Sequence, residues 1–279
     1  MLAKSFQYTL EEKTIMRGDA NIHYWIGGAP GAPWVVFTHG ATIDHHEWDA
    51  TLPLVGEKFR HLTWDVRGHG LSRPATFSID AAVTDLLTLL DQLDIDQAIF
   101  VGHSMGGNLH QELVFHQPER VAAMVFLDCT WNFQQLSSLE RLSLQVAGPL
   151  LRIYPYQALI DQSLAITATS RQSQELLRPA MESLSKTEFT QIIMATTACL
   201  HPEPGYQINK PLLLMVGEND ATGNIRRAMP LWAAHEPDCR FVIIPNAKHA
   251  ANLDNPDFFH QQLLEFLKDV DSSKNKLKE

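Results

Sequence analysis

The sequence predicts an α/β fold, in which a mostly parallel sheet of about eight strands is flanked by helices and interrupted by one helical insertion. Short apolar runs of strand length alternate along the chain with amphipathic stretches of helical length. The runs are continuously apolar, as in strands whose two faces are both buried. One stretch in the second half of the chain contains helix-forming sequence only, which indicates the insertion.

Eight segments are predicted to supply the strands. The first two, SFQYTL (Ser5–Leu10) and ANIHYWIGG (Ala20–Gly28), are expected to form an antiparallel hairpin that opens the sheet. The other six are runs of β-branched, aromatic and other apolar side chains. They cover Trp34–Thr38, His61–Asp65, Gln97–Gly102, Met124–Asp128, Pro211–Gly217 and Arg240–Pro245.

Helices are predicted between these strands, because the intervening sequence has apolar side chains at helical spacing. They cover Asp80–Leu93, Asn108–His116, Ile225–His235 and Phe258–Val270. An alternation of strands and helices implies parallel pairing with helices on both faces of the sheet. The last nine residues, DSSKNKLKE, are predicted to be a frayed polar tail.

The insertion extends from Trp131 to about Tyr206 and contains no strand-like run. It is too long for a loop between two strands, so we interpret it as a helical cap. The predicted domains are therefore a core of residues 1–130 and 207–279 and a cap of residues 131–206. An apolar helical face packs into a core more often than it lines a pocket, but an apolar lid would suit a small hydrophobic acyl group or lactone ring.

The composition is that of an ordinary soluble globular protein. Of the 279 residues, 45% are hydrophobic and 19% are charged, and the net charge of −10 argues against binding to nucleic acid or to an anionic membrane surface. No apolar leader is recognisable at the amino terminus and no segment is suited to spanning a bilayer, so a cytoplasmic protein is expected. Cys129, Cys199 and Cys239 have no metal or redox spacing and are predicted to be reduced.

The stretch FVGHSMGGNLH places Ser104 between two glycines, each two residues away. Ser104 also follows the predicted strand Gln97–Gly102 and precedes a predicted helix. A G-x-S-x-G pattern alone arises often by chance, since glycine and serine are common where strands end. Between a buried strand and a helix it predicts a nucleophile elbow, a turn so tight that only glycine leaves room around an exposed serine.

A serine hydroxyl is a weak nucleophile that needs a base within hydrogen-bond reach and an acid to orient the base. In this architecture the acid and the histidine follow the serine in that order, at the ends of later strands. LLLMVGEND presents Asp220, and FVIIPNAKHAANLDNP presents His249. No histidine pair has metal-ligand spacing with a carboxylate and no glycine-rich loop fits a phosphate, so neither a metal nor a cofactor is predicted.

Five ordered motifs make the chain similar to the α/β-hydrolase fold superfamily over essentially its whole length. They are THGATIDHHEW, DVRGHGLSRP, GHSMGG, GEND and AKHAANLDNP. The resemblance implies Ser104 as nucleophile, His249 as general base and then acid, and Asp220 as the group that orients His249. It also implies an oxyanion hole made by the backbone N–H groups of Ala41 and Met105, with Gly40 and Gly106 needed for room.

Other residues near these motifs have competing interpretations. Asp128, at the end of a predicted strand, is the alternative acid, because some relatives resemble that arrangement. Most of the others are interpreted as structural: three histidines as wall or packing residues, one Asp–Arg pair as a loop clamp, and one tryptophan as a packing residue. His45 and His46 are either solvated loop residues or residues at the pocket edge. The structural set is His39, His69, His103, Asp65, Arg67 and Trp48.

The resemblance to the superfamily also implies that dehalogenases and epoxide hydrolases are disfavoured, because those members use a carboxylate at the elbow instead of serine. Carbon–carbon bond hydrolases usually have a more glycine-rich oxyanion loop than HGATIDHHEW. The predicted function is hydrolysis of a small hydrophobic carboxylic ester or lactone, by a monomer or homodimer. Alternatives are a carbon–carbon bond hydrolase, a cofactor-free peroxidase or oxygenase, and a small-molecule receptor on the same fold.

Overall fold

The computed structural model of the chain describes residues 9–276. Its eight strands form one sheet in the order β1-β2-β4-β3-β5-β6-β7-β8. The pairs β1–β2 and β2–β4 are antiparallel and the other five are parallel, which confirms the predicted fold. The strands are β1 Glu11–Arg17, β2 Ala20–Gly28, β3 Trp34–Thr38, β4 Arg60–Trp64, β5 Ala98–His103, β6 Val121–Leu127, β7 Leu212–Gly217 and β8 Cys239–Ile244.

The opening hairpin is displaced from its predicted position. Residues 5–8 of the predicted strand Ser5–Leu10 lie outside the described residues, and residues 9 and 10 precede β1. The partner of β2 is EEKTIMR, with Arg17 opposite Ala20. The turn between them contains Gly18 at φ +63°, a left-handed conformation that glycine adopts without strain. This turn sets the register and makes Glu11–Arg17 the edge strand.

Ten α-helices are described, and their bounds differ from the prediction mainly at two ends. The helix after β5 begins at Met105 rather than Asn108, because the turn at Ser104 leads directly into it. The last helix continues to Lys276, so most of the predicted polar tail is helical. The helices are α1 Leu52–Gly56, α2 Ile79–Gln92, α3 Met105–His116, α4 Ser138–Ile153, α5 Tyr156–Thr167, α6 Arg171–Ser183, α7 Lys186–Thr196, α8 Ile225–His235, α9 Ala251–Asp254 and α10 Pro256–Lys276.

The strands at the centre of the sheet are buried on both faces. Along β5, Phe100 packs with the cluster under α2, α3 and α8, whereas Ile99 and Val101 pack with the cluster under α1 and α10. Both clusters are closed by large side chains, such as Trp232 on one face and Phe259 on the other. Removal of this apolar surface from water is the main stabilising contribution to such a sheet.

Helices α4–α7 lie between β6 and β7, and no strand occurs in this segment, all of which is described. It is joined to the rest of the molecule near His249, because the N–H of Ala250 donates to the carbonyl of Thr167 at 2.8 Å. The N–H of Thr169 also donates to the carboxylate of Asp254 at 2.8 Å. Within residues 9–276, no helix has the length and apolar character needed to cross a membrane.

The loop after β4 is held by a buried ion pair. Arg67 donates to Asp85 of α2 through Nε at 2.7 Å and Nη2 at 3.2 Å, and the Asp85 side chain is 1% exposed. Arg17 adds a longer contact at 3.3 Å from the edge strand. The pair therefore joins the loop to α2 and to β1.

We expect Asp85→Asn to lower the free energy of unfolding by about 3 kcal/mol, because it removes the buried partner of Arg67 and leaves only the exposed carboxylate of Asp19, 3.4 Å away. The matched control is Asp91→Asn, which removes a carboxylate 68% exposed and 2.8 Å from Arg120. Asp91→Asn should lower the free energy of unfolding by about 1 kcal/mol or less. Urea unfolding of the two variants measures the difference, and equal midpoints would contradict the assignment.

Candidate active site

Ser104 lies in the turn between β5 and α3 with φ +48° and ψ −114°, a conformation that non-glycine residues rarely adopt. The turn needs glycine on both sides. A Cβ on Gly106 would lie 2.2 Å from the carbonyl oxygen of Thr38, and one on Gly102 would lie 2.6 Å from the carbonyl carbon of Gly106. The two glycines let the start of α3 approach β3, which raises the Ser104 side chain above the strand ends.

The structure brings together the three residues predicted as nucleophile, base and acid. Nε2 of His249 lies 2.9 Å from Oγ of Ser104, and Nδ1 of His249 lies 3.1 Å from Oδ2 of Asp220. Asp220 follows β7 and His249 follows β8, so all three emerge at the carboxyl ends of parallel strands. Because a carboxylate can only accept, Nδ1 carries the proton and Nε2 is free to accept from the serine hydroxyl.

The environment of Asp220 keeps its carboxylate charged. Burial alone would raise the pKa of Asp220, but the electrostatic attraction of the His249 ring and the hydrogen bonds from His249 and Thr222 outweigh burial and lower the pKa below the usual value. The N–H of Thr222 donates to Oδ1 of Asp220 at 2.7 Å. Asp220 is therefore an anion at neutral pH.

Asp128, the alternative acid, lies directly behind this pair. Its Oδ1 accepts from the N–H of Gly217 at 2.7 Å and its Oδ2 from the N–H of Ala251 at 3.2 Å. Burial, and then the negative charge of Asp220, raise the pKa of Asp128 well above its ordinary value. Among the described side chains, Asp220 and not Asp128 makes the hydrogen bond to His249.

The predicted oxyanion donors, Ala41 and Met105, belong to two different segments near Ser104. Ala41 lies on the cavity wall with Ser104 and His249. Met105 is the first residue of α3, where a backbone N–H has no partner within the helix, and its side chain is buried in the core. Neither N–H donates a hydrogen bond within the described part of the chain.

A cavity of about 770 Å³ opens above Ser104. Its wall contains Ser104, His249 and Ala41 from the strand ends, and much of the remainder comes from α4–α7. The apolar side chains include Leu144, Met181, Phe189 and Ile193. Hydroxyl groups, including those of Ser163 and Thr196, are distributed among them.

The charged part of the cavity wall was not anticipated from the sequence. Glu140 of α4 accepts from Nδ2 of Asn224 at 2.7 Å and forms an ion pair with Arg227. Hydrogen bonds from Ser137, first of all, lower the pKa of Glu140 to about 2. The SSLE sequence at 137–140 is a capping box, which signals the start of α4 but not the contact of Glu140 with Asn224 and Arg227.

Of the two histidines with open interpretations, His45 is not a solvated loop residue. It is buried, stacks on Trp25 at 3.6 Å between ring centroids, and contacts Asp65 through Nδ1 at 2.8 Å. His46 is exposed and contacts Asp49. Neither lies on the wall of the cavity above Ser104.

The other residues interpreted as structural are buried and contact the loops. His39 contacts the carbonyl of Gly40 through Nδ1 and accepts from the N–H of Val66 through Nε2. Burial, followed by the charge of His39, lowers the pKa of His69 to about 3. Trp48 packs between Phe37 and Phe259.

Two groups of side chains come close enough to hold a metal ion, within the residues that the structure describes. One is Asp128, Asp220 and His249, and the other is Asp44, His45 and His46. In both groups the Nδ1 atoms of the histidines already contact carboxylates. Hydrogen bonds between these side chains therefore explain why the side chains lie close together.

Residues 35–262 match the family model described as the alpha/beta hydrolase family. The chain is 34% identical over 109 residues to 3-oxoadipate enol-lactonase 2 of Acinetobacter baylyi, a match that covers 38% of this chain and 41% of that protein. The chain thus spans about two fifths of the length of this curated relative.

Two solved structures are similar over nearly their whole length. An esterase from Thermogutta terrifontis superposes with a TM-score of 0.79 at 20% identity, covering 95% of this chain and 99% of that chain. The enol-lactonase from Burkholderia xenovorans LB400 superposes with a TM-score of 0.78 at 24% identity, covering 92% of this chain and 100% of that chain. At these identities the two superpositions show a shared fold.

We expect Asp128 to stay protonated to a higher pH than an ordinary aspartate, because burial and the charge of Asp220 raise its pKa and outweigh the hydrogen bonds from Gly217 and Ala251. A protonated carboxyl band should therefore be present in the infrared spectrum and be lost in Asp128→Asn. In Asp220→Asn the neighbouring charge is gone, so the pKa of Asp128 falls and the band should disappear at a lower pH than in the wild type. Identical spectra for wild type and Asp128→Asn would show that the carboxyl is ionised.

Proposed function

The chain belongs to the alpha/beta hydrolase family, and on this premise we propose that it is a serine hydrolase that cleaves a small hydrophobic carboxylic ester or lactone through an acyl-enzyme. The observation that carries the proposal is the continuous contact from Ser104 Oγ to His249 Nε2 at 2.9 Å and from His249 Nδ1 to Asp220 Oδ2 at 3.1 Å. This arrangement supplies a nucleophile, a base that takes its proton, and an anion that holds the base in the required tautomer.

In the proposed reaction, Ser104 Oγ attacks the substrate carbonyl carbon while its proton moves to His249 Nε2. The carbonyl oxygen becomes an oxyanion, which the N–H groups of Ala41 and Met105 would stabilise. Collapse of the tetrahedral intermediate breaks the bond to the leaving alkoxide, which takes the proton from His249. Water then attacks the acyl group with His249 again as base, and proton return to Oγ releases the carboxylic acid and regenerates Ser104.

The same steps apply to an ester and to a lactone. With an ester the alcohol leaves the site after acylation, whereas with a lactone it remains attached to the acyl group until hydrolysis. The solved relative from Thermogutta terrifontis is an esterase and that from Burkholderia xenovorans is an enol-lactonase. The two names support acyl transfer to water as the reaction of this chain.

The substrate class is inferred from the cavity. We propose that residues 131–206 form a cap on a core of residues 1–130 and 207–279, and that the inner face of this cap binds the acyl group or ring. Apolar side chains of α4, α6 and α7 lie in the cavity wall above Ser104, including Leu144, Met181 and Ile193. A pocket of this composition favours an apolar substrate and excludes water from the reacting atoms.

We expect Ser104→Ala to fold normally and to lose ester hydrolysis by on the order of 10⁴-fold or more, because the three residues act as a unit. Hydrolysis of a p-nitrophenyl ester series measures the loss. A fluorophosphonate should label the wild type on Ser104 and leave the variant unlabelled. Wild-type activity in Ser104→Ala would eliminate the serine-hydrolase assignment.

The two carboxylates should differ in their effect on turnover. Asp220→Asn should remove most of the activity while the fold is retained, because the amide cannot hold His249 in the correct tautomer. Asp128→Asn, the matched neighbour, should have a much smaller effect, since Asp128 makes no hydrogen bond to His249 within the described chain. The reverse ranking of kcat/KM would assign the acid to Asp128.

Cap side chains should control substrate size without changing the chemistry. Leu144→Ala and Ile193→Ala remove side-chain volume from the cavity wall and so enlarge the cavity. The enzyme should then prefer a longer acyl chain, while kcat for a small acetate ester changes little. Leu142→Ala is the control, because Leu142 lies on the same helix and is 54% exposed. If the acyl-length profile of all three matched the wild type, the pocket assignment would be wrong.

A further inference from the structure

A second carboxylate–histidine pair lies beside the residues proposed to react, and its histidine, His103, lies in the same cavity wall. Glu47, in the short 3-10 helix His45–Trp48, is 2% exposed, and His103, the last residue of β5, is 1% exposed. Oε1 of Glu47 lies 2.7 Å from Nδ1 of His103. The reaction described above uses neither side chain.

The pair contacts three of the segments that build the site: the loop before Ala41, the turn at Ser104 and the loop of His249. Oε2 of Glu47 accepts from the N–H of Gly40, the residue before Ala41, at 3.0 Å. Nε2 of His103 lies 2.9 Å from the carbonyl oxygen of His249. His103 is also covalently joined to Ser104. Asn252, after the histidine loop, donates to Oε1 of Glu47 at 3.3 Å.

The contacts of the His103 ring indicate which of its two nitrogens carry a proton. The carbonyl oxygen of His249 can only accept, so Nε2 of His103 carries a proton. Nδ1 faces a carboxylate that already receives hydrogen bonds from Gly40 and Asn252, as an ionised group does. Both ring nitrogens of His103 then carry protons, and the negative charge of Glu47 balances the positive charge of the ring.

The surroundings of His103 agree with a charged ring. The titratable groups that face it are Glu47 from the 3-10 helix, His249 from the loop after β8, and Asp220 from the loop after β7. Burial alone would lower the pKa of His103, but the negative charge of Glu47 at 2.7 Å from Nδ1, the carbonyl of His249 and the charge of Asp220 raise it above the usual value.

We infer that Glu47 and His103 are a positioning pair that fixes the proposed oxyanion donor Ala41 and the base His249 relative to Ser104. This inference rests on the proposed function. Contacts at the pair are tight, since a Cβ on Gly40 would lie 2.7 Å from Nδ1 of His103. Buried ion pairs contribute little to stability, because desolvation of the charges offsets their attraction. The effect of the pair is therefore expected in the transition state, where a small displacement of the donors is costly.

Histidine nitrogen NMR tests the pair without any substrate. In the wild type, both ring nitrogens of His103 should be protonated at neutral pH. In Glu47→Gln, which keeps the side-chain shape, one ring nitrogen of His103 should lose its proton at the same pH. A neutral His103 ring in the wild type would overturn the inference even if the variant failed to fold.

Kinetics of Glu47→Gln test the positioning role. We expect kcat for ester hydrolysis to fall on the order of 10- to 100-fold with KM nearly unchanged, because ground-state binding in the cavity is retained. Affinity for a trifluoromethyl ketone, whose Ser104 adduct places an oxyanion between Ala41 and Met105, should fall by a similar factor.

Glu236→Gln is the matched control, because Glu236 is also buried and accepts from a backbone N–H, that of Ile208, outside the cavity wall. It should leave kcat and ketone affinity unchanged. Unchanged kcat and ketone affinity in a folded Glu47→Gln would overturn the inference. Failure of the proposed function would be distinguishable, since the wild type itself would then hydrolyse neither esters nor lactones.

Discussion

The close approach of α3 to β3 at Gly106 is the constraint on which the rest of the site depends. It requires Ser104 to adopt φ +48°, and residues held in this region are strained by about 1–3 kcal/mol. The surrounding sheet fixes this conformation, because the N–H of Ser104 donates to the carbonyl of Leu127 on β6 at 2.9 Å. Since neither Gly102 nor Gly106 has space for a Cβ, a side chain at either position would force the helix away from the sheet and disturb the elbow.

Asp220 and Asp128 lie side by side near the elbow, but their surroundings favour different protonation states of the two carboxyl groups. The hydrogen bonds of His249 and Thr222 hold Asp220 ionised, whereas burial and the charge of Asp220 favour the protonated form of Asp128. Two adjacent negative charges in a buried site would repel strongly, so the negative charge resides mainly on one of the two carboxyl groups. This division leaves Asp220 as the group able to orient His249 as a base.

Local sequence patterns predicted most of the strands and the placement of Ser104, Asp220 and His249 at strand ends, because each pattern covers only a strand and the turn after it. Contacts between distant residues could not be predicted in this way. Glu47 and Asn252 are 205 residues apart in the chain, and no motif relates them. The position of β1 was also missed, because the register depends on the turn at Gly18 rather than on apolar character.

The central claim, an acyl-enzyme on Ser104, is tested most directly by the partitioning of products between water and methanol. Esters of one carboxylic acid with different alcohols would all form the same acyl-enzyme, which has lost the alcohol before the second nucleophile attacks. The ratio of methyl ester to free acid should therefore be the same for every leaving group. A ratio that changes with the leaving group would show direct attack on the substrate and would rule out a common acyl-enzyme.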